Sequence, residues 1–331
     1  MLFIYQGKTD PYFNLAAEEY ILEEKTGDAF LLWRNGPAVI IGKNQNAYTE
    51  LHLPFVQENE ICIARRLTGG GAVFHDLGNV NFTFITDAPE QGKIDFERFT
   101  APMIETLKNL GVQAVLGGRN DILANGRKIS GNAQCVHHAR DGRKRLLHHG
   151  TLLFSADMSR LSGSLKVNRE KMKAKGIQSV ESRVANIRDL PEYIGPDTAE
   201  GFLEALISSA AALYGPAREY TPEEAAAIQK IADEKFSTWE WIFGQSREYS
   251  VYREKRFDFG TVSVSLDADQ GIIRQAAFSG DYFGVRDAVD LAQRLIGCRL
   301  EAQDLLAALV GCETYIYGST STELVDLILG R

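Results

Sequence analysis

The densest chemistry in the chain lies at Arg65-Arg66-Leu67-Thr68-Gly69-Gly70-Gly71-Ala72-Val73-Phe74-His75-Asp76. Two arginines lead into three consecutive glycines, then into a strand-like run. Adjacent glycines lose much backbone freedom on folding, so three together point to a local need for them. One such need is close approach of backbone N–H groups to a phosphate or carboxylate, with arginine adding always-ionised donors beside it. The plainer alternative is a tight bend between strands. The run is not a Walker A motif. The nearest G…GK string, Gly36 to Lys43, has the wrong spacing and no Ser or Thr after the lysine. Nor does Gly69 to Phe74 fit GxGxxG, and neither GxSxG nor HExxH occurs.

A second segment runs through Gly117-Gly118-Arg119-Asn120-Asp121 to Asn125-Gly126-Arg127-Lys128-Ile129-Ser130-Gly131-Asn132. Asn-Gly is a strong hairpin signal. It places Lys128 at the start of a returning strand that runs to Gln134, with Asp121 on the opposing strand. A lysine there can hold a phosphate as a point charge, or be an ordinary solvated hairpin lysine. A third segment, Lys171 to Arg183, is cationic around Gly176 and reads as an anion-closing loop or a solvated surface loop. The histidine pairs His137/His138 and His148/His149 flank an Arg140-Asp141-Gly142-Arg143 turn. They lack a metal spacing such as HxxxH. His149, entering a strand, reads as structural or substrate-lining.

These residues need elements to hold them. Residues 29–34, 38–41, 61–65, 72–75 and 81–86 read as strands, the last as alternating NFTFIT. Residues 14–25 read as a helix with Asn14 as N-cap, and 95–110 and 198–214 as further helices, the last stopped by Gly215-Pro216. Strands in groups favour an α+β fold over a doubly wound parallel sheet. After residue 245 the texture changes. Residues 248–280 read as three strands, followed by short helices near 287–296, 301–310 and 322–329. The expected organisation is a large domain over 1–245 and a small α+β domain over 246–331.

Composition bounds the partners. The 331 residues carry 36 Lys+Arg against 44 Asp+Glu, a formal net charge of −8, with 44% apolar and 24% charged residues. That is a globular composition, and its acidic balance argues against generic binding to nucleic acid or a membrane surface. No apolar run is long enough to span a bilayer, and MLFIYQGKTD lacks the pattern of a signal peptide. The four cysteines form no CxxC pair, which points to a reducing cytoplasm and no structural zinc. No assembly signature appears, so a monomer is expected.

Taken in order, FNLAAEEY (13–20), IGKNQN (41–46), ARRLTGGGAVFHDLGNVNFTF (64–84), GRNDI (118–122) and GRKISGNAQ (126–134) resemble the lipoate–protein ligase family. HHGTLLFSADMSRL (148–161), KGIQSVESRVANI (175–187) and WEWIFGQ (239–245) extend the resemblance through residues 1–245, and the tail resembles the accessory C-terminal domain of its longer members. The Asp121–Lys128 hairpin is short where some members carry an insertion. The resemblance implies the mixed-sheet fold shared with biotin–protein ligases. It implies an enzyme that uses ATP and Mg²⁺ as co-substrates, activates free (R)-lipoate to lipoyl-AMP with release of pyrophosphate, and holds no tightly bound cofactor. The acceptor would be one lysine on lipoyl domains of 2-oxoacid dehydrogenase E2 subunits or on the glycine-cleavage H protein.

By the same resemblance Lys128 is the site lysine, contacting both the α-phosphate and the lipoyl group. Arg66, Gly69, Gly70, Gly71, Ala72, Val73, Phe74, Asn79 and Asp121 would hold the nucleotide or adenylate, with Lys175, Gly176, Ser179 and Val180 on the adenylate-binding loop. Asp121 is also the candidate Mg²⁺ ligand, and Gly71, Val73, Lys128 and His149 would contact lipoate. An apolar slot suits the acyl tail, with Val73, Phe74 and Trp33 as candidates. The dithiolane demands no polar group of itself, so weak discrimination against octanoate is expected. Two other readings are an octanoyl or lipoyl carrier-to-carrier transferase working through Cys135 and a non-catalytic lipoate sensor.

Overall fold

The computed structural model describes residues 1–89, 95–165, 183–244, 251–269 and 271–330. The expected loop residues Lys175, Gly176, Ser179 and Val180 lie outside the described residues. The fold is α+β, with mixed sheets.

The largest sheet has seven strands in the order β1-β2-β6-β10-β9-β8-β7. These are β1 (Leu2–Tyr5), β2 (Ala29–Trp33), β6 (Asn79–Asp87), β7 (Ala114–Gly117), β8 (Asp121–Ala124), β9 (Arg127–His138) and β10 (Lys144–Leu153). Only β1 and β2 pair in parallel. Both faces are covered, so alternate side chains serve different cores. Phe30, Leu32, Phe82, Phe84 and Leu146 pack under α4 (Phe96–Asn109) and α6 (Ala199–Tyr214). Leu31, Trp33, Ile85 and Leu147 pack under α1 (Pro11–Glu24) and α7 (Pro222–Ile231).

A three-stranded sheet, β4-β3-β5, lies beside this one. It is built from β3 (Ala38–Ile41), β4 (Cys62–Arg65) and β5 (Val73–His75). A third sheet of β11 (Val251–Phe257), β12 (Gly260–Asp269) and β13 (Ile272–Gly280) carries α9 (Ala288–Leu295), α10 (Ala302–Ala308) and α11 (Ser321–Leu329). Its core, which includes Val262, Leu291 and Leu324, draws only on residues from 251 onward. No described helix is long and apolar enough to cross a membrane.

The turns follow their sequence signals. Asn125 and Gly126 both take positive φ, 51° and 73°, as the β8–β9 turn requires. One helix start differs from expectation. The cap of α1 is Asp10, whose carboxylate accepts from Tyr12 N at 2.9 Å, and Pro11 takes the first helical position. Asn14 is instead buried inside the helix, its amide donating to the carbonyls of Lys8 and Arg34.

Arg65 closes the junction between the small sheet and the segment around α8 (Trp239–Ile242). It is fully buried, and its guanidinium donates only to backbone carbonyls: Gly42, Lys43, Gln45, Trp241 and Ile242. Trp241 Nε1 returns a bond to Arg65 O at 2.8 Å. Burial lowers the guanidinium pKa to about 10, which still leaves it charged at neutral pH. Replacing Arg65 with Met would orphan several buried acceptors, at a cost of at least about 3 kcal/mol. We expect the thermal midpoint to fall by roughly 6–12 °C. Arg65→Lys should recover only part of this in calorimetry, because an ammonium cannot reproduce the planar fork.

Candidate functional site

A pocket of about 450 Å³ opens between the seven-stranded sheet, the β4-β3-β5 sheet and the C-terminal unit. Its inner end is apolar and deeply buried, with Leu15, Trp33 and Ile40 in the wall. Its outer end is charged, with Arg119, Asp121, Lys128, Arg256, Asp258 and Asp281.

Lys128 sits at that mouth. Its ammonium pairs with Asp121 at 2.8 Å, and both side chains are about one-third exposed. The bulge in the β8–β9 pairing at Ile122/Leu123 lets Lys128 reach back toward Asp121, whose direct partner is Gly131. A Cβ at Gly131 would lie 2.8 Å from Lys128 Nζ, so glycine there leaves the ammonium room. Ala185 N donates to the Lys128 carbonyl at 2.8 Å and holds the other side of the strand.

Gly70, Gly71, Ala72 and Val73 form the wall facing Lys128, together with Arg66, and His149 lines the same cavity. Arg66 lies behind the glycine loop. Its Nη2 donates to the carbonyls of Gly69 (2.7 Å) and Gly71 (2.8 Å), its Nη1 to Ile40 O (3.0 Å), and its Nε to Thr68 Oγ1 (2.9 Å). Most of its donors are therefore spent on shaping the loop. Burial lowers its pKa to about 10, with the Glu18 carboxylate opposing that fall.

A directional chain of hydrogen bonds runs inward from Arg66. Thr68 Oγ1 accepts from Arg66 and lies 2.8 Å from His149 Nε2; with Nδ1 donating to a carboxylate, the Nε2 of a neutral ring accepts the Thr68 proton. His149 Nδ1 then donates to the fully buried carboxylate of Glu18 at 2.9 Å. Glu18 Oε1 also accepts from Thr83 Oγ1 at 2.7 Å, and Thr83 accepts from Trp33 Nε1 at 2.9 Å. The glycine loop and the floor of the apolar slot are thus one polar network.

Three expected site residues fall elsewhere. Phe74 does not line the pocket: strand alternation turns it to the opposite face of β5, into the cluster with Val39 and Ile41. Its neighbours Val73 and His75 take the pocket side. Gly69 faces the C-terminal unit, and a Cβ there would lie 2.3 Å from Tyr282 O. Asn79 is buried behind the wall and donates to Asn81 Oδ1 at 2.9 Å; Asn81 is the residue that lines the cavity.

Other residues were not anticipated. Glu18, Thr68, His75 and Asn81 stand within recognisable motifs, but nothing in their spacing distinguishes a buried network from ordinary strand and helix residues. The contribution of the C-terminal unit had no local signal. Gly70 N donates to Tyr282 O at 3.3 Å, Gly280 N to Asn44 O at 2.8 Å, and Lys43 pairs with Asp287 at 2.7 Å. The Arg119 guanidinium bonds the carbonyls of Phe259 and Asp281 and lies over the Phe283 ring.

Among the described residues no group of three or more His, Cys, Asp and Glu could hold a metal. Cys135 does not line the pocket. It packs against the core that contains Leu147, and burial pushes its thiol up to about 12.

A deep slot with a lysine and a glycine-loop wall at its mouth, on a mixed sheet, can take a molecule with an apolar tail and an anionic head, and comparison makes the class specific. The family model described as the lipoyl protein ligase A/B catalytic domain matches residues 10–210, and that of the bacterial lipoate protein ligase C-terminus matches 246–328. Lipoate–protein ligase 1 of Staphylococcus aureus is 39% identical over 316 residues, 93% of either chain. The lipoate-protein ligase LplJ of Bacillus subtilis is 38% identical over 99% of this chain and all of its own. The chain belongs to the lipoate–protein ligase family.

Among solved structures, the Plasmodium falciparum LipL1 complex with lipoate shares the fold, with a TM-score of 0.78 at 24% identity over 100% of this chain and 99% of its own. A bipartite lipoate protein ligase of Thermoplasma acidophilum, described together with its E2 lipoyl domain, is 29% identical over 76% of this chain and all of its own, with a TM-score of 0.62. A lipoate-protein ligase A bound with ATP is 28% identical over 73% of this chain and 98% of its own, with a TM-score of 0.59.

Gly42 supplies a test of the loop's geometry. A Cβ there would lie 2.1 Å from Gly70 O and 3.2 Å from Arg66 Nη2. Gly42→Ala must therefore displace the glycine loop, and a shift of about 1 Å near a reacting centre can cost on the order of 100-fold. We expect ligase activity to fall at least about tenfold by this route. Gly36→Ala, whose Cβ would sit 3.7 Å from Thr9 O, should stay near wild type in the same assay.

Proposed function

We propose that this protein is an ATP-dependent lipoate–protein ligase. It activates free lipoate as lipoyl-adenylate, releases pyrophosphate, and passes the lipoyl group to a lysine of a lipoyl domain of an E2 subunit or of the glycine-cleavage H protein. The observation that carries this reading is the Lys128–Asp121 pair set at the mouth of a slot whose wall is the glycine loop. The ligase solved with ATP and the ligase described with its E2 lipoyl domain support the substrates and the class of partner.

In this reading the acyl tail lies along Trp33, Ile40 and Val73, and its carboxylate emerges beside Lys128. Attack of that carboxylate on the α-phosphate concentrates negative charge on phosphoryl oxygens. Lys128 and the loop amides meet that charge without reorganising. The Asp121 carboxylate holds the ammonium in place until the substrate anions arrive. Mg²⁺ fits as an ion carried by the nucleotide, since it needs only one or two protein carboxylates besides phosphate and water, and Asp121 is the one beside Lys128. In the second step the acceptor amine attacks the acyl carbonyl, a bond forms from nitrogen to carbon, and AMP leaves.

We assign residues 1–245 to catalysis and 246–331 to an accessory unit, a division supported by the separate core of the latter. That unit walls the mouth through Arg256, Asp258 and Asp281, so the accessory unit moves aside to admit the acceptor domain. Four free thiols favour a reducing cytoplasm. The transferase alternative needs an activated thiolate, and a half-buried Cys135 outside the pocket, its thiol pushed up to about 12, does not provide one.

Purified protein should catalyse pyrophosphate exchange into ATP only when lipoate and Mg²⁺ are present. Lys128→Ala should lower this by at least about 100-fold, the scale of losing a preorganised charge at the reacting phosphate, while Cys135→Ala should keep most activity. Exchange retained in Lys128→Ala would remove the role assigned to that residue. Small-angle scattering with and without a non-hydrolysable lipoyl-adenylate analogue should differ, and superimposable curves would count against movement of the accessory unit.

A further inference from the structure

The C-terminal unit brings to the mouth of the pocket a guanidinium for which the reaction above has no task. Arg256 stands near the C-terminal end of β11, lines the pocket and is half exposed. Its Nη1 donates to Asp281 Oδ2 at 2.8 Å and to Thr261 Oγ1 at 2.9 Å. The Asp281 carboxylate is held in turn by Thr261 N. Among the described residues Arg256 Nε and Nη2 donate to nothing. One corner of a rigid, planar group is clamped, and its remaining donors are open to solvent at the mouth.

Contacts between the two units carry this fork to the Lys128 end of the cavity. Arg119 stands two residues before Asp121, the partner of Lys128. Its guanidinium reaches the carbonyls of Phe259 and Asp281. Gly260 leaves it room, since a Cβ there would lie 2.7 Å from Arg119 Nη1 and 3.0 Å from Asp281 Oδ1. The tip of the β11–β12 hairpin is pinned in this way against the turn that leads into Asp121. The other guanidinium groups of the cavity are committed, Arg119 to those carbonyls and most of Arg66 to the glycine loop. The outer end sets three cations, Arg119, Lys128 and Arg256, against three carboxylates, Asp121, Asp258 and Asp281. Net charge alone therefore draws no anion to this end, and directed donors must.

The direction of the reaction gives the open donors a task. In displacement at phosphorus the attacking and leaving oxygens lie roughly in line. With the acyl tail in the buried end, the carboxylate attacks the α-phosphorus from inside. A bond forms from the acyl oxygen to phosphorus, the bond from phosphorus to the bridging oxygen breaks, and its electron pair leaves with pyrophosphate toward the mouth. The wall on that side carries Arg256. We propose that Arg256 is a catalytic residue of the adenylation step, its Nε and Nη2 donating hydrogen bonds to the leaving pyrophosphate without transfer of a proton. Asp281 is the positioning residue that holds the fork. Charge grows on the leaving oxygens as the bond breaks, so these contacts strengthen toward the transition state. The assignment rests on the reading of the chain as a lipoate ligase and deepens it: Arg256 serves the first half-reaction and has no anion to meet in the second.

The two half-reactions can be measured apart in the full chain. Lipoate-dependent exchange of inorganic pyrophosphate into ATP reads the first. Transfer to an unmodified lipoyl domain from synthetic lipoyl-adenylate, with no pyrophosphate present, reads the second. Arg256→Gln should lower kcat/KM for pyrophosphate in exchange by about ten- to a hundredfold, the range of a hydrogen bond to a charged group, and leave transfer within about twofold of wild type. Arg256→Lys should recover only part of the loss, because an ammonium keeps the charge and not the fork. Asp281→Asn should weaken exchange in the same direction but less. Both partners of Arg256 lie in its own unit, so these changes at Arg256 break no bond across the junction. Exchange within about twofold of wild type in Arg256→Gln would overturn the proposal. An equal loss in both half-reactions would also overturn it, since a purely structural role predicts that result. Should Arg256→Gln fail to fold, Arg256→Lys decides the question by the same comparison. A wild-type protein without any lipoate-dependent exchange would instead overturn the ligase reading.

Discussion

Two neighbouring guanidinium groups, buried and bound almost entirely by backbone carbonyls, are the constraint on which the site depends. Strand alternation sends Arg65 and Arg66 to opposite sides. Arg65 gathers the carbonyls of Gly42, Lys43, Gln45, Trp241 and Ile242, and Arg66 gathers those of Ile40, Gly69 and Gly71. A buried cation must be surrounded by acceptors or it will not stay buried. The chain therefore has to bring these carbonyls together, and doing so fixes the glycine loop, the 42–45 turn and α8 in one arrangement. The Glu18 carboxylate, reached through Thr68 and His149, supplies the compensating charge.

The pocket inherits its shape from that arrangement. Because Arg66 holds the carbonyls of Gly69 and Gly71, the residues from Gly70 to Val73 are kept in place as the wall of the cavity. Because Glu18 is held by Thr83 and His149, Trp33 is anchored through Thr83 and forms a fixed wall of the slot. Lys128 is held differently, on a rigid hairpin whose turn takes positive φ at Asn125 and Gly126. The charged mouth and the deep, apolar interior are both carried by the seven-stranded sheet, with Lys128 on β9 and Trp33 on β2.

Much of this was legible in the residues. The α+β class followed from grouped strands, and the β8–β9 hairpin followed from Asn125-Gly126, a turn signal that by itself sets Lys128 and Asp121 on facing strands. The motif of two arginines and three glycines marked the loop. It did not show how Arg66, which lines the pocket, spends most of its donors on the loop itself. Phe74 was misplaced because a three-residue strand is too short to show which face its alternation buries. Asn14 looked like a helix cap by residue type, but Pro11 had already fixed the start one turn earlier and freed Asn14 for the interior. The network from Glu18 to Trp33 joins residues far apart in the chain, and no local spacing carries that information. The same is true of the contacts from Tyr282 and Phe283, which depend on how two separately cored units meet.

The hydrogen bond from Gly70 N to Tyr282 O has a thermodynamic consequence. An amide has a single proton to give. While the Tyr282 carbonyl holds it, the loop cannot offer that amide to an anion, and an anion that takes it removes one of the ties seating the C-terminal unit. Occupancy of the loop and seating of that unit are then linked quantities: whatever free energy one loses through this amide, the other loses equally, whichever event comes first. A glycine with no side chain to contribute would then couple the two events, and the free energy at stake is that of the weaker of the two competing bonds, since the stronger is kept.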